Sequence, residues 1–221
     1  MSTNPPRTPL LLALYREYLD HQDSTALAEQ VSRRYAPGTL QRLAESQNRQ
    51  VRRAAVLALG LIGDYAANHT LGRALMDSDR TVRTLAQNGI RSVWTQAGNR
   101  RQRRQLQTII RLNNAQQYEE AIRRASELID QAPWFAEVWN QRAIARFKLG
   151  QFHDSIRDCH QALEINPYHF VAATSMGQVY LQLQNPVSAL ECFRRALRLN
   201  PDLEGVRIQV VRLTRMVEGN R

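Results

Sequence analysis

Apolar residues recur along this chain at helical intervals. Val51, Ala54, Ala55, Leu57, Ala58, Leu61 and Ile62 fall at three- and four-residue steps, a stripe wide enough to be buried against a core. Asn48 and Asp79 stand just ahead of two such stretches, and Ser24 ahead of a third. A short polar side chain there caps the free backbone N–H groups of a helix start. At the far end Val206, Val210, Leu213 and Val217 share one face, with Arg207, Arg212 and Arg215 on others. That stretch reads as a capping helix over 204–217, ended by Gly219-Asn220. No window alternates apolar and polar residues between hairpin turns, so no sheet is expected.

Two longer periods organise these helices. Windows 102–135, 136–169 and 170–203 are each 34 residues long and overlay without a gap. Pro133, Pro167 and Pro201 recur at one offset, Ala121, Ser155 and Ala189 at another, and Tyr118 and Phe152 share a third. A fixed period of this length marks a helix pair that cannot bury its apolar face alone and must stack on its neighbours. Upstream, Asn48–Arg52 recurs as Asp79–Arg83 and Leu40 as Leu71, a shift of 31 residues.

The 34-residue windows resemble the tetratricopeptide repeat. Trp139, Ala143, Gly150, Phe152, Ser155, Ala162 and Pro167 carry the likeness in the second window. Met176, Gly177, Tyr180, Ala189, Phe193, Ala196 and Pro201 carry it in the third. Small residues let two helix backbones approach, larger ones fill the space between, and the proline ends the second helix. The first window keeps Ala121, Ala125, Leu128 and Pro133 in its second helix. The 31-residue period, over roughly residues 37–98, resembles short HEAT-type repeats, with residues 7–35 as a degenerate first pair. The resemblance implies an all-α, right-handed α-solenoid. HEAT-like hairpins over residues 1–98 would precede a domain over 99–221 made of three TPR hairpins and the cap.

Composition narrows the function. No stretch approaches the ~18 continuous apolar residues that span a bilayer, and Leu10–Leu14 after Pro5-Pro6-Arg7 lacks a cleavage pattern. A cytoplasmic location is expected. Two cysteines, Cys159 and Cys192, fit that compartment and are expected to pack. The five histidines are scattered, and no phosphate loop, nucleophile elbow or metal set is present. The chain is therefore expected to be no enzyme and to need no cofactor or metal. Short HEAT-type repeats do occur in bilin lyases, an analogy resting on fold alone.

The net charge is +10, and Lys148 is the only lysine among 30 basic residues. The excess is spread: 12 basic against 8 acidic residues over 1–98, and 18 against 12 over 99–221. Arg100, Arg101, Arg103 and Arg104 form the densest cluster. It is a possible polyanion contact, or a solvated helix start with no aromatic residue for base stacking. Arg52 and Arg83, with Asp77 six residues before Arg83, suggest the structural ladder of HEAT-type repeats.

In tetratricopeptide families ligand contacts come from the first helix of each pair. Carried onto matching positions, this implies a groove of Arg103, Asn114, Asn140, Ile144, Phe147, Lys148, Thr174, Gln178 and Gln182. Leu106, Ile110, Asn113 and Leu181 share the same offsets, with Trp134 and Phe135 at the edge. The basic clamp by which some members grip the acidic tails of chaperones is missing: its places hold Leu106, Asn140 and Thr174, then Ile110, Ile144 and Gln178. The expected function is a non-catalytic scaffold or adaptor that holds a segment of another protein. Asn140 and Gln178 would fix that segment's backbone and Phe147 would anchor it. The alternative is a nucleic-acid-binding repeat protein that uses the arginine excess. No membrane insertion is expected.

Overall fold

The computed structural model describes residues 10–219. Among these the chain is all-α, with thirteen helices and one short 3-10 turn. It divides into two compact units between Val93 and Trp94. Pro5, Pro6, Arg7 and Asn220, used above as signals, lie outside the described residues.

The first unit holds α1 (Leu10–His21), α2 (Ser24–Arg34), α3 (Pro37–Leu43), α4 (Arg49–Ile62), α5 (Asn68–Ala74) and most of α6 (Arg80–Thr95). The 31-residue shift maps α3 onto α5 and the start of α4 onto that of α6. Leu40 and Leu71 are both fully buried, as are Ala55 and Ala86. The turns repeat as well. The Ser46 hydroxyl accepts from the Asn48 N–H at 3.2 Å, and the Asp77 carboxylate from the Asp79 N–H at 2.8 Å. Asn48 and Asp79 then cap α4 and α6, accepting from Gln50 N and Val82 N. One cap departs from expectation: α2 begins at Ser24, and its cap is Asp23, whose carboxylate accepts from Thr25 N and Ala26 N. A carboxylate there can satisfy two donors and complements the positive helix end.

Arg52 fills the expected ladder in an unexpected direction. Its guanidinium bonds both carboxylate oxygens of Asp77 at 2.7 and 2.9 Å and the Ser46 carbonyl at 3.0 Å. Arg83 donates to the Asp77 carbonyl at 2.9 Å. Asp77 thus receives the arginine of the preceding repeat on its side chain and that of its own repeat on its backbone. Beside it Arg53 makes two bonds to Asp79, 2.6 and 2.9 Å. Helices α4 and α6 meet backbone to backbone at Gly60 and Gly89, where a Cβ on Gly60 would lie 2.7 Å from Gly89 Cα.

The second unit holds α7 (Arg100–Asn114), α8 (Tyr118–Gln131), α9 (Ala136–Lys148), α10 (Phe152–Ile165), α11 (Phe170–Gln182), α12 (Pro186–Leu199) and α13 (Glu204–Glu218). The second helices α8, α10 and α12 start and stop 34 residues apart without exception. The backbone keeps the same count: Gln116, Gly150 and Gln184, each 34 residues on, have positive φ of 59°, 73° and 54°. Each is the left-handed residue that turns a first helix into a second. The next corner repeats too, with Asn166 Oδ1 accepting from Tyr168 N and Asn200 Oδ1 from Asp202 N, both at 3.1 Å.

Packing explains the small-residue positions. Gly177 lies under the Phe193 ring, so closely that a Cβ would stand 2.6 Å from a ring carbon. Ala143 is fully buried at the equivalent offset. Trp139 and Tyr180 are half-buried against the cores, and the Trp139 indole N–H donates to the Pro133 carbonyl at 2.8 Å. Asp158, buried on α10, is held by Arg142 through two bonds of 2.9 Å and by Arg146 at 2.8 Å. Val206 and Leu213 bury one face of α13, which closes the last pair, with Gly219 as its C-cap.

Candidate functional site

The implied ligand wall lies on α7, α9 and α11, and the structure sorts it into a closed part and an open part. The closed part is centred on Glu137, an acid that sequence reasoning passed over. It is buried together with Asn140 and His169. Its carboxylate accepts from Asn140 Nδ2 at 3.2 Å and from Gln141 Nε2 at 2.7 Å, and meets His169 Nε2 at 3.0 Å. His169 Nδ1 accepts the Ala172 N–H at 3.1 Å. The neutral ring therefore carries its proton on Nε2, aimed at Glu137. Burial pushes the Glu137 carboxyl up, but the donors from His169, Gln141 and Asn140 outweigh it and hold the group below its ordinary 4.5.

Trp94 completes the closure. Its ring stacks on the His169 imidazole at 4.2 Å and 15°, and meets Phe170 at 5.2 Å and 54°. It is itself 2 % exposed. The chain thus seats one of its own aromatic side chains on a position where the resemblance implies a ligand. Asn140, expected to fix a partner's backbone, is 1 % exposed. It serves Glu137 instead, because a buried carboxylate must have its oxygens satisfied.

The first pair offers little open wall. Leu106 is fully buried in the core, and Asn113 Nδ2 donates to the carbonyl and side-chain oxygens of Gln141 at 3.0 Å each. Arg103 is half-buried and reaches Gln96 Oε1 at 3.3 Å, while Asn114 is exposed. Arg100, Arg101 and Arg104 are exposed on α7. Phe135 is buried, and Trp134, stacked on it at 5.6 Å, is half exposed.

The open part belongs to α9's end, α11 and α13. Gln178, Gln182 and Lys148 are exposed, and Ile144, Phe147, Thr174 and Leu181 half-buried. Phe147 pairs with Phe152 at 5.9 Å, and the Lys148 ammonium stands 6.0 Å from the Phe147 ring. The Thr174 hydroxyl already donates to the Phe170 carbonyl at 2.9 Å. Thr174, Gln178 and Leu181 line a cavity of about 460 Å³ whose other wall includes Asp202, Leu203, Glu204 and Val206. The acidic side of that cavity was not foreseen, because it comes from the corner before α13 and not from the repeated first helices.

Cys159 and Cys192 are buried free thiols. Burial raises both, Cys192 to about 11, so neither is a thiolate near neutrality.

Comparison with known proteins follows the same division. The family model of tetratricopeptide repeats matches residues 134–202, covering the second and third windows. The chain carries tetratricopeptide repeats behind a HEAT-like region. The model of HEAT repeats matches residues 36–127, running past α6 through α7 and into α8. A TPR repeat-containing protein of Rhizobium etli is 32% identical over 101 residues, 44% of this chain and 50% of the relative. Human WD and tetratricopeptide repeats protein 1 is 34% identical over 80 residues, 35% of this chain and 12% of that protein. The chain therefore spans half the length of the first relative and a small part of the second. Among solved structures, the first TPR of Spaghetti (RPAP3), bound to an HSP90 peptide, superposes with a TM-score of 0.52 at 21% identity. That match covers 55% of this chain and 96% of the other. It shows the shared TPR fold. No helix among the described residues is long and apolar enough to cross a membrane.

Proposed function

We propose that the chain is a non-catalytic adaptor whose repeats hold an extended or helical segment of a partner protein in the open part of the wall. The cavity between α11 and α13 is the observation that carries this reading. Exposed amides, Gln178 and Gln182, flank it, and Leu181, Leu203 and Val206 supply apolar surface. Amides can pair with a peptide backbone, and an apolar pocket gives a side chain somewhere to be desolvated.

The charge on this wall selects the partner. Asp202 and Glu204 are its ionisable groups, so the segment presents an apolar side chain next to lysine or arginine. The TPR of Spaghetti is seen with an HSP90 peptide whose sequence, SRMEEVD, ends in acids. Here the corresponding wall carries Leu106, Ile110, Ile144, Thr174 and Gln178, with Asn140 turned inward. An acidic tail finds no cation in the cavity.

Affinity purification identifies the captured protein, and tiled peptides from it locate the segment. Calorimetry then compares the parent chain with Gln178→Ala combined with Gln182→Ala. The expected result is micromolar affinity with a negative heat-capacity change, weakened about tenfold or more in the double variant at unchanged melting temperature. Equal affinity in the double variant would discard this site.

A further inference from the structure

Helix α7 carries five arginines in its 15 residues, RRQRRQLQTIIRLNN, and no carboxylate. Several exposed arginines elsewhere are paired: Arg33 with Glu29, Arg73 with Glu45, and Arg123 and Arg124 with Glu120. The guanidinium groups of Arg100, Arg101 and Arg104 make no ion pair or hydrogen bond among the described residues. Two of these arginines stand in the first turn, where positive charge opposes the helix dipole. The backbone there is already satisfied. Asn99 accepts from Arg101 N and Gln102 N, and Gln102 Oε1 accepts from Asn99 N at 2.9 Å. What stays open is the charge on the side chains.

Two clefts meet along the ridge of Arg100 and Arg104. One, about 430 Å³, adds Arg101, Gln105, Thr108 and Arg124, with Glu127 at its edge. The other, about 410 Å³, adds Arg103, Gln107 and Arg111. Glu127 is committed, since it accepts from Arg123 at 2.5 Å. Neither cleft is lined by an aliphatic or aromatic side chain.

We propose that this face of α7 binds the phosphate backbone of a nucleic-acid duplex. Guanidinium forks bond two phosphate oxygens at once. Arg100, Arg104 and Arg111 follow steps of four and seven along one helix line, a run of roughly 16 Å at ~1.5 Å per residue. Laid along a duplex axis, that run overlies about five phosphates of one strand, at ~3.4 Å each. The missing apolar surface argues against a peptide, which binds through buried anchors. The missing aromatics argue against unpaired bases, which stack. Charge alone suffices for a backbone contact without sequence preference. The inference is independent of the groove on α11.

Fluorescence anisotropy with a labelled duplex of about twenty base pairs tests it, between roughly 50 and 200 mM salt. The parent chain should bind with a log–log salt slope of about −4 to −5, given about 0.9 per neutralised phosphate for five arginines. Arg100→Gln with Arg104→Gln should flatten the slope by about 1.8 and weaken low-salt binding at least tenfold. Arg212→Gln with Arg215→Gln, the same charge removed from α13, should leave the slope near that of the parent. Both pairs are exposed, and circular dichroism melts confirm that the variants fold. No duplex binding at the lowest salt, or equal losses from the two double variants, overturns the proposal. So does poly-glutamate of matched charge displacing the duplex as well as unlabelled duplex does, because the surface would then read acidity in general.

Discussion

The Trp94 indole lies face to face with the His169 imidazole at 4.2 Å, and the two rings together roof the buried Glu137 carboxylate. Trp94 is 2 % exposed, so removing it leaves a void beside a polar network as well as exposing apolar surface. Trp94→Ala should lower stability by roughly 3–5 kcal/mol and Trp94→Phe by considerably less. Urea unfolding midpoints check both. An unchanged midpoint in the alanine variant would mean the ring is not seated there in solution.

The Glu137 network also sets a pH dependence. Its carboxyl titrates below 4.5 in the folded chain, against about 4.5 when unfolded. The stability it contributes is therefore complete above that value and drains away as the pH falls. Asp77 and Asp79, the latter lowered to about 2 chiefly by Arg53, act in the same sense in the first unit. Glu137→Gln keeps an acceptor for His169 but removes the charge. Its unfolding midpoint should fall less than the parent's between pH 7 and pH 3.5, about 4.5 being the point where the two curves begin to converge. Parallel curves would show that Glu137 is not ionised in the folded state.

The fold was legible because repetition multiplies weak signals. Leu40 and Leu71, or Pro133, Pro167 and Pro201, say little singly, but at fixed spacing each supports the others. The wall was legible as a set of positions but not as an exposed surface. Asn140 sits at a ligand offset and looks like a groove amide, yet is buried by its commitment to Glu137. Burial of that kind depends on Trp94, a residue outside the 34-residue register. Glu137 and His169 fall on implied contact offsets of the second window, so a search for titratable groups at those offsets would have found them. The acidic rim of Asp202 and Glu204 had no periodic signal to reveal it.

In the first unit, Arg52 ties its own repeat to the next through Asp77, with side-chain exposures of only 15% and 11%. Breaking such a pair strands a largely desolvated guanidinium. Asp77→Ala also removes the acceptor for Asp79 N, so it should cost about 2–4 kcal/mol. Arg52→Met with Asp77→Leu should cost less than the single change, since neither charge is left alone. Hydrogen exchange resolved by segment should show α4 and α6 losing protection first. A double variant no better than Asp77→Ala would place the loss in the turn bond and not in the ion pair.

The left-handed corners offer an improvement in stability. Gln116 and Gln184 hold the conformation that Gly150 supplies at the same point of the middle repeat, φ 59° and 54° against 73°. A side chain with a Cβ is strained there by about 1 kcal/mol, and glycine is not. Part of that gain is returned through the greater freedom of the unfolded chain. Gln116→Gly and Gln184→Gly should each stabilise by about 0.5–1 kcal/mol, and, being far apart, should add. Gly150→Ala should destabilise by about 1 kcal/mol even though no atom lies within 4 Å of the new Cβ. Its cost is therefore wholly backbone, which is what separates it from the crowded Gly177. Thermal melts of the three single variants and the double glycine variant check the signs, and a stabilising Gly150→Ala would contradict the shared corner geometry.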